Sequence, residues 1–560
     1  MKSSFFEFHV ANTALFTARG NLQVTNHNIA NAQTEGFSRQ YAMQRTNTPI
    51  NLYNGKGMVG TGSEVYGVGQ IRDIYLDKKY WSERAVLGEY TAKQVQLNAV
   101  ETLFNDFSEN GLTGAFNDFF AKMQSLAENS GDPTYRTNLI QSANSIISLV
   151  NLQANALRKQ QADINTEVKA VLERVNSLGE QIVSLNRQIA TNEVDGSKAN
   201  DLRDARARLV DELSLYVNVE VKEREMNEDY AAGKYPSPDD NNKSEKRFSV
   251  SINGYEFVDH FNIAKLECRP KSLYNPDDPA ALDCAHNEMD ELGLYDIYFT
   301  NGSKFNIYSP SLQGELKGLI DLRDGNNTFT DIKNTRGDII SYDTSYKGIP
   351  HYLNRLNDLV RTFARAINEG LDRNGEAMPG VIGHVQGSTR ENPPVDGMRF
   401  FTIASDTPGV DAVTTGPIAD YNELNVFNFI INPEIINDPY KIAAANPGAD
   451  GPSDESDNSV ILSLLKIRDN THLFKEGKLA DYINAISSEL GIDINQATKF
   501  EKNYTDVTTT INNQRLSVSG VDINEEITNM IKYHQLFQAS AKLINVINSI
   551  YNTLINTVGV

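Results

Sequence analysis

Apolar residues at helical spacing occupy both ends of this 560-residue chain. In residues 4–31 they recur in alternating steps of three and four, at Phe8, Ala11, Leu15, Ala18, Leu22, Thr25 and Ile29. Near the C-terminus a similar stripe runs through Phe537, Ala541, Ile544, Ile547, Tyr551, Leu554 and Val558. An amphipathic helix is stabilised mainly by the packing of its apolar face. The pattern therefore predicts that the terminal helices pair as a coiled coil and also pack against partner subunits.

The longest helical pattern lies between residues 140 and 189, after the start signal Asp132-Pro133, a capping residue followed by proline. Its stripe consists of Ile140, Ala143, Ile147, Val150, Ala154, Leu157, Gln161, Ile164, Val168, Val171, Val175, Leu178, Ile182, Leu185 and Ile189. A seven-residue repeat of this length requires partner helices. We expect them within the chain, at 95–127, 350–370 and 495–535. An intermolecular coiled coil is the alternative.

The apolar period changes to two in the middle of the chain. Alternating residues lead into Asn253-Gly254 and again into Asn301-Gly302. Asn-Gly between alternating runs indicates a β-hairpin. Residues 223–312 are therefore expected to form an inserted β-rich domain. Residues 371–456, rich in Gly, Pro and Asn, are expected to form a second, irregular and partly β insertion.

These patterns predict a mainly α, multidomain α+β fold, with a long-helix bundle as its core and outer β-rich insertions. The expected segments are an N-terminal axial helix with an extended segment (1–75), the first part of the bundle (76–222), the β-rich domain (223–312), a helical return to the bundle (313–370), the second insertion (371–456), further bundle helices (457–518) and a C-terminal axial helix (519–560).

Net charge excludes some classes of partner. The formal charge of −21 argues against nucleic acid and anionic membranes, because phosphate groups repel an acidic surface. The sequence has no stretch of about 20 apolar residues that would span a membrane. Its first ten residues lack the apolar core and cleavage site of a secretory signal, so any export is expected without a cleaved signal.

No catalytic constellation is apparent in the sequence. It has no H-E-x-x-H pair, no G-x-x-x-x-G-K-[ST] loop and no G-x-S-x-G elbow. Cys284, His286 and neighbouring carboxylates could form part of a metal site, but a polar loop is the simpler interpretation. We therefore expect no enzyme activity, cofactor or metal. Cys268 and Cys284 could form a disulfide worth about 3 kcal/mol, or remain two free thiols.

Two sequence signatures indicate a family. Thr13-Ala14-Leu15, Asn28-Ile29-Ala30-Asn31 and Ser38-Arg39-Gln40 resemble the N-terminal signature of bacterial flagellar rod, hook and hook-associated proteins. The segments 519–526 and 535–542 resemble the matching C-terminal signature. Within this family the resemblance is strongest to the hook-associated proteins, through Ser38-Arg39-Gln40 and segments 199–204, 211–213 and 314–324. Ala14, Gln33, Glu35 and Phe37 depart from the usual Gly, Asn, Pro and Tyr.

The resemblance implies a structural protein that connects the flagellar hook to the filament, located outside the cell after passage through the flagellar export channel. It implies self-association in the junction, the hook protein on one side, the next hook-associated protein on the other, and an export chaperone on the C-terminal helix. The expected assembly interface comprises the terminal stripes together with Asn28 and Asn31. The alternatives are another axial protein, such as the hook protein, or an enzyme domain carried on an outer insertion.

Overall fold

A computed structural model of the chain describes residues 6–51, 57–104, 111–225, 246–270, 293–328, 332–333, 339–341, 344–389, 397–404, 421–446 and 457–557. Its α-helices are α1 Phe6–Ala30, α2 Ile74–Phe104, α3 Leu112–Glu128, α4 Pro133–Asn192, α5 Asn200–Tyr216, α6 Glu315–Asp324, α7 Ile349–Glu369, α8 Pro433–Asn437, α9 Ser459–Leu465, α10 Leu479–Ser519 and α11 Ile523–Thr557.

The strands are short and pair in small antiparallel sheets. They are β1 Gln40–Thr46, β2 Ile50–Asn51, β3 Met58–Val59, β4 Ser63–Gln70, β5 Val219–Glu225, β6 Lys246–Ile252, β7 Tyr255–Asp259, β8 Asn262–Ile263, β9 Leu266–Pro270, β10 Tyr295–Phe299, β11 Asn326–Thr328, β12 Ile332–Lys333, β13 Ile339–Ser341, β14 Thr344–Lys347, β15 Phe401–Ile403 and β16 Phe429–Ile431. The predicted fold class, mainly α with β insertions, is confirmed.

Helix α4 is the scaffold of the body. It spans 60 residues, and the carboxylate of Asp132 caps its N-terminus by accepting a hydrogen bond from the Thr134 amide at 2.8 Å. Its apolar stripe is buried from Ile140 to Ile189 except for a few partly covered positions. The end of α2 with α3, and α7, lie against it as expected for 95–127 and 350–370.

The prediction that residues 495–535 pack against α4 is wrong. Residues 495–535 belong to α10 and the start of α11, and α10 lies along α2 instead. Aromatic stacking fixes this pairing, because the Tyr90 ring lies 4.8 Å from Phe500 and 6.0 Å from Tyr504. Along its length α4 packs against α2, α3, α5, α6 and α7 and against strands of both insertions.

The first β insertion packs directly on α4. Strands β5 to β8 form an antiparallel meander, and Asn253 and Gly254, both with positive φ, make the predicted turn between β6 and β7. Gly179 of α4 lies under this sheet: a Cβ atom there would come within 2.5 Å of Ile263. The insertion therefore shares one hydrophobic core with the helices.

The second predicted hairpin is reduced to a tight turn. Gly302 has the expected positive φ, but after it only an isolated bridge joins Tyr298 and Lys304. The expected helical return at 313–370 is divided into α6 and α7 by β11 to β14. In the second insertion β15 pairs with β16, and Phe401 joins an aromatic cluster with Phe119 and Phe363.

Buried charges join α2, α4 and α6 beside this core. Lys93 of α2 lies 2.6 Å from Glu89 and 2.7 Å from Asp321 of α6 and is almost fully buried. At the start of α6, burial together with the charge of Glu167 raises the pKa of Glu315 to about 7. Ionised Glu315 therefore opposes folding at neutral pH.

Truncating the α4 stripe should destabilise the body. We expect Leu178→Ala and Ile182→Ala, both fully buried, each to lower the free energy of unfolding by roughly 2–5 kcal/mol, because each leaves a cavity. Leu152→Ala on the same helix, at a side chain 61% exposed, is the matched control and should cost far less. Denaturant unfolding followed by circular dichroism measures both. Equal losses at buried and exposed sites would contradict the assignment.

Glu315 should make stability depend on pH. Its pKa is higher in the folded than in the unfolded chain, so the folded state binds more protons between about pH 4.5 and 7 and stability falls as the pH rises through this range. Glu315→Gln should therefore be the more stable form at pH 8, by on the order of 1 kcal/mol after solvent screening, and gain little at pH 4.5. Thermal unfolding at several pH values measures this. Glu128→Gln, at an exposed site, should show no such trend.

Candidate assembly interface

The two terminal helices lie side by side. In α1, Ala11, Ala18 and Asn28 are buried, while Phe8, Leu15, Leu22, Ile29 and Asn31 are partly buried. In α11, Ile547 is buried and Phe537, Ala541, Ile544 and Tyr551 are partly buried; the side chain of Leu554 lies outside the described residues. The structure thus brings the two helices together within one chain. Their role as an assembly interface stays a prediction.

Helix α1 also contacts the ribbon formed by β1 and β4. Asn28 clamps the chain where it reverses: its Nδ2 donates to the Gln40 carbonyl at 2.8 Å, and its Oδ1 accepts from the Gln40 amide at 2.9 Å. Thr17 donates to the carbonyl of Ser63 at 2.9 Å. Asn31 donates to the His27 carbonyl at 3.0 Å and so closes the helix end. Both asparagines therefore shape the chain reversal within this subunit.

A second apolar stripe on α11 remains exposed. Leu536, Leu543 and Ile550 follow one another at seven-residue intervals, and Val546 lies between the last two. Residues seven apart lie on the same face of a helix. About half of each side chain is accessible to solvent. This stripe was missed by the sequence analysis, although its spacing in the sequence could have revealed it.

Charged side chains tie the terminal pair to the helical body. Arg39, just before β1, donates from Nε to Glu526 at 2.7 Å and from Nη2 to Glu525 at 2.6 Å. Its backbone amide donates to the carbonyl of Ser519, the last residue of α10, at 2.8 Å. The side chain of Glu526 is only 3% exposed, so Arg39 compensates a buried carboxylate.

Asp204 of α5 binds Ser38, the residue before Arg39. Its carboxylate accepts from the amide and from the hydroxyl of Ser38, each at 2.8 Å, and lies 3.2 Å from Arg72. Burial is the largest effect and raises the pKa of Asp204, although the hydrogen bonds from Ser38 and the charge of Arg72 act to lower it. The turn after α1 is therefore anchored to α5.

Two arginines continue these contacts into α2 and α10. Arg72 lies 2.6 Å from Asp77 of α2, and Arg515 of α10 lies 2.9 Å from the same carboxylate and 3.0 Å from Asp211 of α5. Trp81 donates to Asp211 at 2.5 Å. We call the set Ser38, Arg39, Arg72, Asp77, Asp204, Asp211, Arg515, Glu525 and Glu526 the connector network.

Much of the connector network lies in sequence blocks that carried the family resemblance. Ser38-Arg39, Asp204, Asp211 and Glu525-Glu526 were each noted there, but none was predicted as a site residue. The sequence signal for these contacts was that Arg39 lies in one block and the acidic residues lie in the others. Their pairing depends on contacts between residues as much as 487 positions apart, which no local pattern reveals.

The remaining sequence candidates are the two cysteines and the polar cluster at 283–290. Cys268 on β9 is half-buried, and burial raises the pKa of its thiol to about 11. Cys284, its possible disulfide partner, and the cluster at 283–290 lie outside the described residues, so the disulfide stays a prediction. In the described ranges no group of three His, Cys, Asp or Glu side chains could hold a metal ion. Over the same ranges, no helix has the length and apolarity needed to cross a membrane.

Arg39→Ala should loosen the terminal pair from the body. Removing one partner of a buried ion pair leaves an uncompensated charge, at a cost of roughly 3–5 kcal/mol. We expect faster hydrogen exchange at the start of α11 and at the end of α10. Arg45→Ala, which breaks an exposed pair with Glu64, is the control and should cost under about 1 kcal/mol. Similar exchange in both variants would contradict this role for Arg39.

Comparisons with known proteins identify the family. The family described as "Flagellar hook-associated protein FlgK helical domain" matches residues 97–383, just over half of the chain. "Flagellar basal body rod FlgEFG protein C-terminal" matches residues 512–557, which cover the end of α10 and α11.

Individual proteins match over nearly the whole chain. Flagellar hook-associated protein 1 of Bacillus subtilis is 26% identical over 567 residues, covering 100% of this chain and 99% of the relative. Its Escherichia coli counterpart is 24% identical, covering 98% of each. The solved structure of the flagellar hook junction protein FlgK from Burkholderia pseudomallei has a TM-score of 0.51 at 14% identity, covers 79% of this chain and 100% of its own, and shows the same fold. The chain belongs to the flagellar hook-associated protein FlgK family, whose members are structural proteins of the bacterial flagellum.

Proposed function

We propose that this structural protein of the hook–filament junction assembles through α1 and α11, and that it acts by assembly rather than by catalysis. The observation that carries the proposal is the pair of stripes on α11. One stripe packs against α1, while Leu536, Leu543 and Ile550 remain exposed on the other. A continuous exposed apolar stripe on a helix is typical of a surface that packs against another helix.

The partners follow from the family. Neighbouring copies of this chain would cover the second stripe of α11 within the junction. The hook protein would lie on one side of this layer and the next hook-associated protein on the other. With these partners the protein would lie outside the cell, on the flagellum.

The same stripe requires protection before assembly. An export chaperone that binds α11 would cover Leu543 and its neighbours until the chain enters the flagellar export channel, through which it would pass without a cleaved signal. Within the connector network, the pairs of Arg39 with Glu525 and Glu526 involve α11, and these would form once the chaperone releases the helix.

Removing either terminal helix should abolish assembly. We expect chains lacking residues 1–30 or 525–560 to be absent from flagella, while the body keeps its helical circular dichroism and cooperative unfolding. Immunoelectron microscopy of flagella measures incorporation. A truncated chain that builds normal junctions would refute the proposal.

A finer variant separates the two stripes. Leu543→Ser with Ile550→Ser changes only the exposed stripe, so incorporation should fall while the isolated chain unfolds as before. Leu152→Ser, at an equally exposed position of α4, is the control and should assemble normally.

A further inference from the structure

A cleft lies beside the connector network. Its volume is about 800 Å³. The start of α2, the C-terminal end of α4, the beginning of α5 and the paired strands β5 and β6 form its walls. The contacts of α1 with α11 do not account for this cleft, since neither helix lines it.

The cleft is basic, although the chain is acidic. Eight Lys and Arg residues line it against three Asp and Glu residues, while the whole chain has a charge of −21. The three carboxylates are neutralised locally: Arg72 pairs with Asp77, and Arg203 pairs with Glu193 and Glu223.

Four cations of the lining are left over. Lys78, Lys198, Arg224 and Lys246 form no ion pair with any residue that the structure describes. Field lines from like charges are focused in a cleft with protein walls, which strengthens the attraction of an anion. The excess positive charge therefore favours an acidic ligand.

Two residues of the lining, Asn200 and Gln70, each carry a buried amide oxygen without a hydrogen-bond donor among the described residues. Asn200 is 4% exposed; its Nδ2 donates to the Val68 carbonyl at 3.1 Å, and its Oδ1 has no partner among the described residues. The Oε1 of Gln70 is likewise buried without a partner in that part of the chain. A buried polar atom left unpaired is unfavourable, because it has lost its hydrogen bonds to water. Since carboxylates and phosphates carry no N–H group, a simple anion would leave both oxygens unpaired.

The rim of the cleft is apolar. Tyr41 of β1 and Ile74 of α2 both line it, with 47% and 63% of their surfaces exposed. Tyrosine and arginine, both present in the lining, are enriched at protein–protein interfaces.

From these features we propose that the cleft docks an extended acidic peptide segment of a neighbouring copy of this chain. Backbone N–H groups of the segment donate to Asn200 and Gln70, its carboxylates pair with the basic wall, and an apolar side chain lies on Ile74. A second copy is the occupant that the charge favours, because the chain carries 73 Asp and Glu against 52 Lys and Arg. The inference rests on the proposed function, in which copies of this chain lie next to one another in the junction.

Photo-crosslinking from the rim tests the proposal. A benzoylphenylalanine placed at position 74 of the full-length chain in assembled flagella should crosslink to a second copy, and mass spectrometry should locate the bond in a segment rich in Asp and Glu. The same probe at position 152 of α4, equally exposed, should give at most a tenth of this product. Incorporated chains that crosslink only to another protein, to a segment without acidic residues, or not at all would overturn the proposal.

Charge reversal identifies the interaction. Lys78→Glu with Lys198→Glu should lower the crosslink at position 74 at least tenfold, whereas Lys159→Glu with Lys502→Glu changes the net charge equally at exposed sites outside the cleft and should leave it unchanged. Equal effects of both pairs would overturn the docking site. The terminal deletions are a separate test. Normal assembly without residues 1–30 would refute the proposed function, whereas loss of the crosslink at position 74 in assembled flagella would refute the docking site.

Discussion

The arrangement of this molecule depends on three arginines that pair with buried carboxylates in the region where its terminal helices join its body. Arg39 compensates Glu526, while Arg72 and Arg515 share Asp77. Buried ion pairs add little net stability compared with apolar packing, but breaking one is costly, and so they select one geometry. In this chain they fix where α11 leaves α10 and where the segment after α1 turns back. The long helices provide stability, and the connector network provides their relative placement.

Helix α4 supports the rest of the body by carrying different partners along its length. Helix α3 and the second insertion pack near its start, and the sheet of β5 to β8 packs against its second half. Gly179 permits this close approach, because any side chain there would collide with Phe257 and Ile263. The β insertion is therefore a wall of the same core. The insertion also forms one wall of the basic cleft, whose other walls are α4, α5 and the start of α2.

Local signals in the sequence predicted local structure well. Asp132-Pro133 marked the start of α4, and Asn253-Gly254 marked the one tight hairpin that forms as expected. A seven-residue repeat indicates that a helix packs against a partner, but it does not identify the partner. The prediction that α10 packs on α4 therefore failed: stacking on Tyr90 holds α10 along α2. The second stripe of α11 was hidden because the pattern was interpreted with one apolar face. The connector network could not be predicted, since its pairs form between distant charged residues that are individually ordinary.

The course of α10 determines how this subunit bears mechanical load. The helix has 41 residues, so it is about 60 Å long, and it runs beside α2 over much of that length. Its last carbonyl accepts the hydrogen bond from Arg39, and Arg515 binds α2 and α5 one turn earlier. A pull on the terminal pair along the axis of α10 would therefore load its contacts with α2. Such a force would shear many side-chain contacts at once instead of peeling them apart one by one.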